Sequence, residues 1–527
     1  MKRNVMTLTL GLLTALSAGA QTIYDATTLA QKELNGTARF VGMGGAMGAL
    51  GGDISTIATN PAGIGIYRSN DVMTSFSYSA FGTESTYEGQ TVNVDKNRWS
   101  FDNAGFVYSM KYGNQTALRY INFGFSYHKA KNFYRNTRME GLINVTPDDG
   151  IVSQTYQMAT QANSMFDSGC DIAQIGDAQN LFDNNNVGWL AALGWNGWLY
   201  DEDYHNNGQF AGYIPYPQWQ PYGTFHSQER GGVNEYNFNV SFNVNDRVYF
   251  GVTLGAYDLN YSKRSFYDED YDNGEGYALE NWTDIDGSGI DLKFGVIFRP
   301  IETSPLRIGL AIHTPTFYDL TLATRARLVS DVVTEGSEIE RIEVDSYEEL
   351  GGNYMNQEYK LRTPWKFNAS LGYTVGSMLA LGAEYEYQDY STMKFQYPDG
   401  YEMEWENSTA QDMLKAVNTL RLGAELKVIP EFALRAGYNY TTAAYTNDAW
   451  KDLPANSIMT DTDFSNSKSK NAYTLGIGYR GSNLYADLAY QYTTQKADFF
   501  AFDDEYLNKT ELTHTRSQVL LTVGVRF

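Results

Sequence analysis

Nowhere does the sequence hold the roughly 20 consecutive apolar residues that a membrane-spanning helix needs, which excludes a bundle of such helices. Strand-built membrane proteins stay open, because each spanning strand carries only a faint alternating signal. Cysteine is almost absent: Cys170 stands alone, so no internal disulfide can form. No Cys/His cluster suggests a metal site, and no metal or other cofactor is expected. Positive charge is scarce too, with 39 Lys and Arg against 62 Asp and Glu. A net charge of −23 argues against nucleic acid, which binds through basic patches. The five histidines are scattered, no Gly-x-Ser-x-Gly elbow occurs, and no Ser sits near His and Asp in a recognisable signature, so no enzyme is expected. No linker rich in Pro, Gly or Ser divides the chain into separate domains.

What is present begins with Lys2 and Arg3, an apolar stretch from Val5 to about Leu16, and Ser17-Ala18-Gly19-Ala20. That is the pattern of a secretory signal peptide over residues 1–20, cut before Gln21. Beyond it, period-two alternation recurs. Tyr236, Phe238, Val240, Phe242 and Val244 interleave with Asn237, Asn239, Ser241 and Asn243; Leu420, Leu422, Ala424, Leu426 and Val428 with Arg421, Gly423, Glu425 and Lys427. The chain ends on the strand Val519 to Phe527, whose odd positions are apolar. Gly and charged residues share the other face, as in a polar, partly filled lumen. Very short links, such as Asn245-Asp246 and Ile429 to Glu431, alternate with long polar ones, such as Asp268 to Gly287 and Tyr445 to Lys468. This predicts an all-β, antiparallel transmembrane β-barrel of about 14 strands over residues 70–527, with periplasmic turns at one end and extracellular loops at the other. The 41 tyrosines, 27 phenylalanines and 9 tryptophans suit aromatic girdles. The terminal Phe527 is the expected outer-membrane assembly signal, read by the barrel-assembly machinery, and the localisation follows from it.

Two regions do not read as strands. One is an extracellular insertion at about 131–230, with a helix expected over Val152 to Phe166. The aromatic residues Trp189, Trp195, Trp198, Tyr200, Tyr213 and Trp219 beside Leu190, Leu193 and Leu199 either form an apolar patch that captures ligand or pack the loop into a cap. The other is residues 21–69, with Gly42-Met43-Gly44-Gly45-Ala46-Met47-Gly48, then Gly51-Gly52-Asp53 and Asn60-Pro61-Ala62-Gly63. A dinucleotide loop fails here, since Met47 stands at the third glycine position and no strand and helix frame it. Glycines also allow tight backbone packing in a confined space, such as a plug within a lumen.

The run Gly36 to Ala46, with Asp53 and Asn60-Pro61-Ala62-Gly63, resembles the hatch of the FadL/TodX family of outer-membrane transporters for long-chain fatty acids and other hydrophobic compounds. His313-Thr314-Pro315-Thr316, Thr363-Pro364-Trp365, Arg435-Ala436-Gly437-Tyr438 and the terminal Phe527 agree. The resemblance implies a fourteen-stranded barrel closed by an N-terminal hatch, a monomer in outer-membrane lipid, and a hydrophobic small molecule as its partner. It also implies release through a wall opening near the third strand, Leu118 to Lys129, with Gly124 as the candidate weak point. A competing reading is a surface-binding protein that uses the aromatic insertion for adhesion or haem capture.

Overall fold

Alternation along the chain becomes a closed wall. The computed structural model describes residues 19, 21–113, 116–143, 145–146, 150–176, 179–216, 220–333 and 338–527. The expected signal peptide lies outside the described residues except for Gly19. Among the described residues the barrel has fourteen antiparallel strands. They are β1 (Asp71–Tyr87), β2 (Gln90–Lys111), β3 (Leu118–Asn132), β4 (Tyr222–Val244), β5 (Val248–Asp270) and β6 (Gly276–Phe298). Next come β7, broken into Arg307–His313 and Phe317–Val333, and β8, broken into Met355–Arg362 and Lys366–Val375. The circuit ends with β9 (Leu379–Asp389), β10 (Ala416–Ile429), β11 (Phe432–Thr441), β12 (Phe464–Arg480), β13 (Leu484–Phe500) and β14 (Thr510–Arg526). Strand β14 pairs with β1 in unbroken register from Asp71 opposite Arg526 to Thr86 opposite Glu511, which closes the barrel.

The terminal strand shows which face is which. Val519 and Leu521 are 45% and 44% exposed on the outside, while Leu520 and Thr522 are fully buried inside. Phe250, Phe294, Leu310 and Phe367 continue this outer apolar face around the wall. Such a face fits hydrocarbon better than water. Both prolines of the strand breaks, Pro315 and Pro364, lie where a backbone donor is missing from the ladder. Threonines repair the gaps: Thr314 Oγ1 accepts from the Leu292 amide at 3.0 Å, and Thr363 Oγ1 from the Thr316 amide at 2.8 Å.

The links at one barrel end are all short, as expected. Asn245 and Asp246 both take positive φ, 53° and 55°, the primed turn that matches strand twist. The other end is mixed. Only Tyr271 to Glu275 separates β5 from β6, so the expected long link from Asp268 to Gly287 is strand instead. Its polar residues misled because a lumen-facing position is as polar as a loop. Glu269, fully buried, accepts from Ser153 Oγ at 2.5 Å, the Gln154 amide at 2.9 Å and the hydroxyls of Tyr267 and Tyr271, each at 2.8 Å. The insertion is likewise narrower than expected, because Arg135–Leu142 pairs onto β4 from Tyr222 to Glu229. Strands β4, β5 and β6 each have 23 residues, about twice the 9–11 that a bilayer requires. The wall therefore stands well past the hydrocarbon layer.

Two plugs fill the barrel. Above, residues of the insertion, of the loops 390–415, 442–463 and 501–509, and of helix α1 (Ile23–Ala30) form one continuous apolar core. The expected helix in the insertion is present as α3 (Gln154–Asp167), and a further helix, α4 (Trp189–Asn196), is buried beside it. Below, residues 36–66 pack against the inside of the wall through helix α2 (Ala38–Gly42) and two 3-10 turns, Ile54–Ala58 and Pro61–Ile66. Residues 21–69 are thus divided: α1 belongs to the upper plug, and only the later part fills the lower lumen.

Candidate functional site: the lumen between two plugs

The lower plug is held by local caps that its sequence specifies. Thr37 Oγ1 caps α2 by accepting from the Phe40 amide at 3.0 Å, and donates to the Asp53 carboxylate at 2.8 Å. Asp53 in turn caps Ile54–Ala58 through the Ser55 amide at 3.0 Å. Asn60 Oδ1 accepts from the Ala62 amide at 3.2 Å, with Pro61 at the first position of the next turn, where a missing N–H costs nothing. The pair Gly44-Gly45 takes positive φ, 61° and 80°, a conformation glycine adopts without strain.

Glycines on the wall answer those in the plug. Gly372, Gly382, Gly423 and Gly437 lie side by side in register across β8 to β11. A Cβ at Gly382 would stand 2.0 Å from the Ala46 carbonyl oxygen, at Gly423 2.3 Å from that of Met43, and at Gly437 2.1 Å from the Gly44 nitrogen. The trough so formed lets plug backbone lie directly on wall backbone. Charges flank it. Arg39 makes a bidentate pair with Glu425 at 2.8 and 3.0 Å, and Arg435 reaches the same carboxylate at 2.7 Å. Elsewhere His313 Nε2 donates to the Thr59 carbonyl at 2.7 Å, and Gly42 accepts from Thr474 Oγ1 at 3.2 Å. Ala62 is fully buried with Tyr249 and Ile297, and Gly63 fits beside Thr56, where a Cβ would clash.

Between the plugs lies a cavity of about 200 Å³, crossed by the connecting residues Gln31 to Asn35. Seven cationic side chains line it against three carboxylates, a reversal of the chain's overall acidity. Some are neutralised: Lys32 pairs with Glu235 at 3.1 Å, Arg516 with Glu33 at 2.7 Å, and Arg421 with Glu386 at 3.1 Å. Two are not. Lys131 donates only to the Thr28 carbonyl at 2.5 Å, and Lys470 has no hydrogen-bond or carboxylate partner among the described residues. Burial alone would raise the Glu33 carboxyl, but Arg516, Lys470 and Lys131 outweigh it and hold the group below the usual range. Phe40, Phe81, Phe133, Tyr134 and Tyr390 are the aromatic part of the lining. A cation-rich pocket with aromatic walls suits an anionic head on an apolar body.

No protein-family model and no curated protein matches the sequence. Solved structures do resemble the fold. A FadL homologue from Pseudomonas aeruginosa is similar over 94% of this chain and 99% of its own, at 13% identity and a TM-score of 0.50. The toluene transporter TodX of Pseudomonas putida is similar over 95% and 100%, at 10% identity and a TM-score of 0.49. The chain has a FadL-type barrel fold.

Within this FadL-type barrel, the aromatic residues of the insertion are mostly packed inward. Trp189, Tyr200 and Tyr213 are buried, Trp195 is partly buried, and Trp198 and Tyr204 stand out, each at 53% exposure. Trp219 lies outside the described residues. An exposed apolar patch is therefore not what Trp189, Tyr200 and Tyr213 form; they pack a cap. Gly124 is paired to Val107 on one side and Asn239 on the other, with no break in the ladder. It faces inward, where an added Cβ would stand 3.3 Å from Ile57. Phe527 exchanges backbone hydrogen bonds with Asn70, at 3.2 and 3.0 Å, and so extends the closing seam by one residue.

A thinner stretch of wall than that at Gly124 lies elsewhere. Gly251 and Gly295 are paired neighbours on β5 and β6. Asn60 and Pro61 press on their inner side, at distances that leave no room for a Cβ. On the outer side, Phe250, Phe294, Leu310 and Phe367 border an apolar groove of about 650 Å³ that runs to β9. Only backbone separates lower plug from groove. Sequence reading missed both: the thin wall shows only when Asn60 and Pro61 are brought against the β5–β6 hairpin, and the cavity cations come from strands far apart in the chain.

Proposed function

We propose that this protein is a passive outer-membrane transporter that imports long-chain fatty acids, or similar molecules with an apolar tail and an anionic head. The observation that carries this reading is the cation-rich cavity between two plugs inside a FadL-type barrel. Lys131 and Lys470, the lining amino groups without a carboxylate partner, receive the head. Tail burial supplies the driving force, roughly 0.8 kcal/mol for each CH₂ group, with no cofactor or nucleotide. A cavity of about 200 Å³ is smaller than the ~300–1,000 Å³ of most ligand pockets, so a plug shifts before a whole molecule fits. Asn60-Pro61 is the part of the lower plug, here acting as a hatch, that faces the thin wall. Release at Gly251 and Gly295 rather than at Gly124 follows from that placement.

Purified protein in liposomes should take up oleate but not sugars, and free passage of sugars would replace this reading with a general porin. Replacing both lysines, Lys131→Gln with Lys470→Gln, should weaken oleate binding roughly tenfold, the scale of a charge-assisted hydrogen bond. Binding of the corresponding fatty alcohol should hardly change. Cysteines introduced as Pro61→Cys and Ser241→Cys, positions already joined by the Ser241 hydroxyl and the Pro61 carbonyl at 2.8 Å, should stop uptake when cross-linked, and reduction should restore it; uptake that continues when cross-linked rejects this exit.

A further inference from the structure

A second groove, of about 650 Å³, opens beside the cap, where the turn after α4 meets the far end of β7. Its floor is apolar: Tyr200, Val332 and Val344 are buried there. Trp195, Trp198 and Tyr216 wall it, and Asp201, Glu343 and Glu349 rim it, with no Lys or Arg among the described lining residues. Glu343 is already paired with Arg327 at 2.6 Å. Asp201 accepts only from the adjacent Glu202 amide at 2.8 Å, and Glu349 has no side-chain partner among the described residues.

The walls are fixed in place before any ligand arrives. Glu275, almost fully buried, accepts from the Tyr216 hydroxyl at 2.7 Å and from the Val333 amide at 2.8 Å, and so ties the two sides together. Ser330 Oγ donates to the Gly197 carbonyl at 2.7 Å, and the Trp198 amide donates to Trp195 at 3.1 Å. These bonds hold Trp198 at a φ of 57°, a region a bulky residue seldom occupies, with its ring outward.

Aromatic faces attract cations through the ring quadrupole, and free carboxylates with no competing cation do the same. An anion would be repelled from both, so the groove is no anteroom for the cation-rich lumen. We propose that it is a binding site for an organic cation, a quaternary or alkyl ammonium group seated on Trp198 and held by Glu349 and Asp201. The inference stands on this groove alone and is independent of what crosses the barrel.

Choline and its uncharged carbon isostere, 3,3-dimethylbutan-1-ol, are the probes, titrated against full-length protein in detergent and read by tryptophan fluorescence and ligand-observed NMR. Choline should bind saturably, and the isostere about fivefold or more weakly, the scale of one cation–π contact. Trp198→Ala should abolish the signal, and Glu349→Gln with Asp201→Asn should weaken it by a similar factor and flatten its salt dependence. Migration of the folded barrel in unheated gels should be the same in all three proteins, which certifies their folding. Equal binding of choline and isostere, choline binding that survives Trp198→Ala, or saturation by a neutral disaccharide with none by choline would each overturn the proposal.

Discussion

The upper and lower plugs stop the same barrel by different chemistry. The cap is one continuous apolar core, with Trp189, Phe182 and Leu193 buried together. The lower plug has only small, separate apolar clusters and rests on the wall through glycine-to-backbone contact and charge pairs such as Arg39–Glu425. Hydrophobic burial is roughly proportional to area and indifferent to direction, so a large shared core resists piecemeal movement. Contacts made through individual polar groups can be exchanged one at a time. The difference predicts that the plug below yields before the cap does.

The largest test of that contrast removes the cap's anchor. Trp189→Ala should cost about 3–5 kcal/mol, seen as rapid protease cleavage between residues 143 and 221 while the barrel keeps its folded migration in gels. A cap that stays resistant would show that its core does not hold it shut. Glu425→Leu comes next, since it leaves Arg39 and Arg435 without their shared carboxylate. Losing one partner of a buried pair costs about 3 kcal/mol or more, and hydrogen exchange should rise over residues 36–66 alone. Neither single variant should conduct in a planar bilayer, because the other plug remains, whereas the double variant should. Current through either single variant would mean that the two do not act in series. Smaller again is Gly437→Ala, whose Cβ would overlap Gly44; overpacking of about 1–3 kcal/mol should loosen residues 42–46 without touching the cap. The smallest effect concerns the link between plugs. Glu33 sits below its ordinary value of 4.5, so its pairing adds stability above that pH and loses it as pH falls further. Exchange over residues 31–35 should therefore increase only below about pH 4, and Glu33→Gln should remove that dependence.

The lower plug was far more legible in sequence than the cavity. Gly42 to Asp53 and Asn60 to Gly63 are contiguous, and their caps and turns act within a few residues. Wall glycines such as Gly423 and Gly437 could also be placed on the inward face by counting in twos. The cavity was not legible, since Lys131, Lys470 and Arg516 meet only through the closed circuit of strands. Burial of the insertion's aromatics was hidden for a related reason: Trp189 and Trp198 differ by nine positions and not in chemistry, and only packing decides which one faces solvent.

The seam between β1 and β14 sets an order of events. The wall can be completed only after the last residues are made, yet the lower plug precedes the first strand. Its clusters are too small to persist alone, and most of its hydrogen-bond partners lie on strands β7 to β14. Its observed shape rests on a surface that exists only once the circuit of strands is closed, so whatever loosens that surface loosens the plug with it.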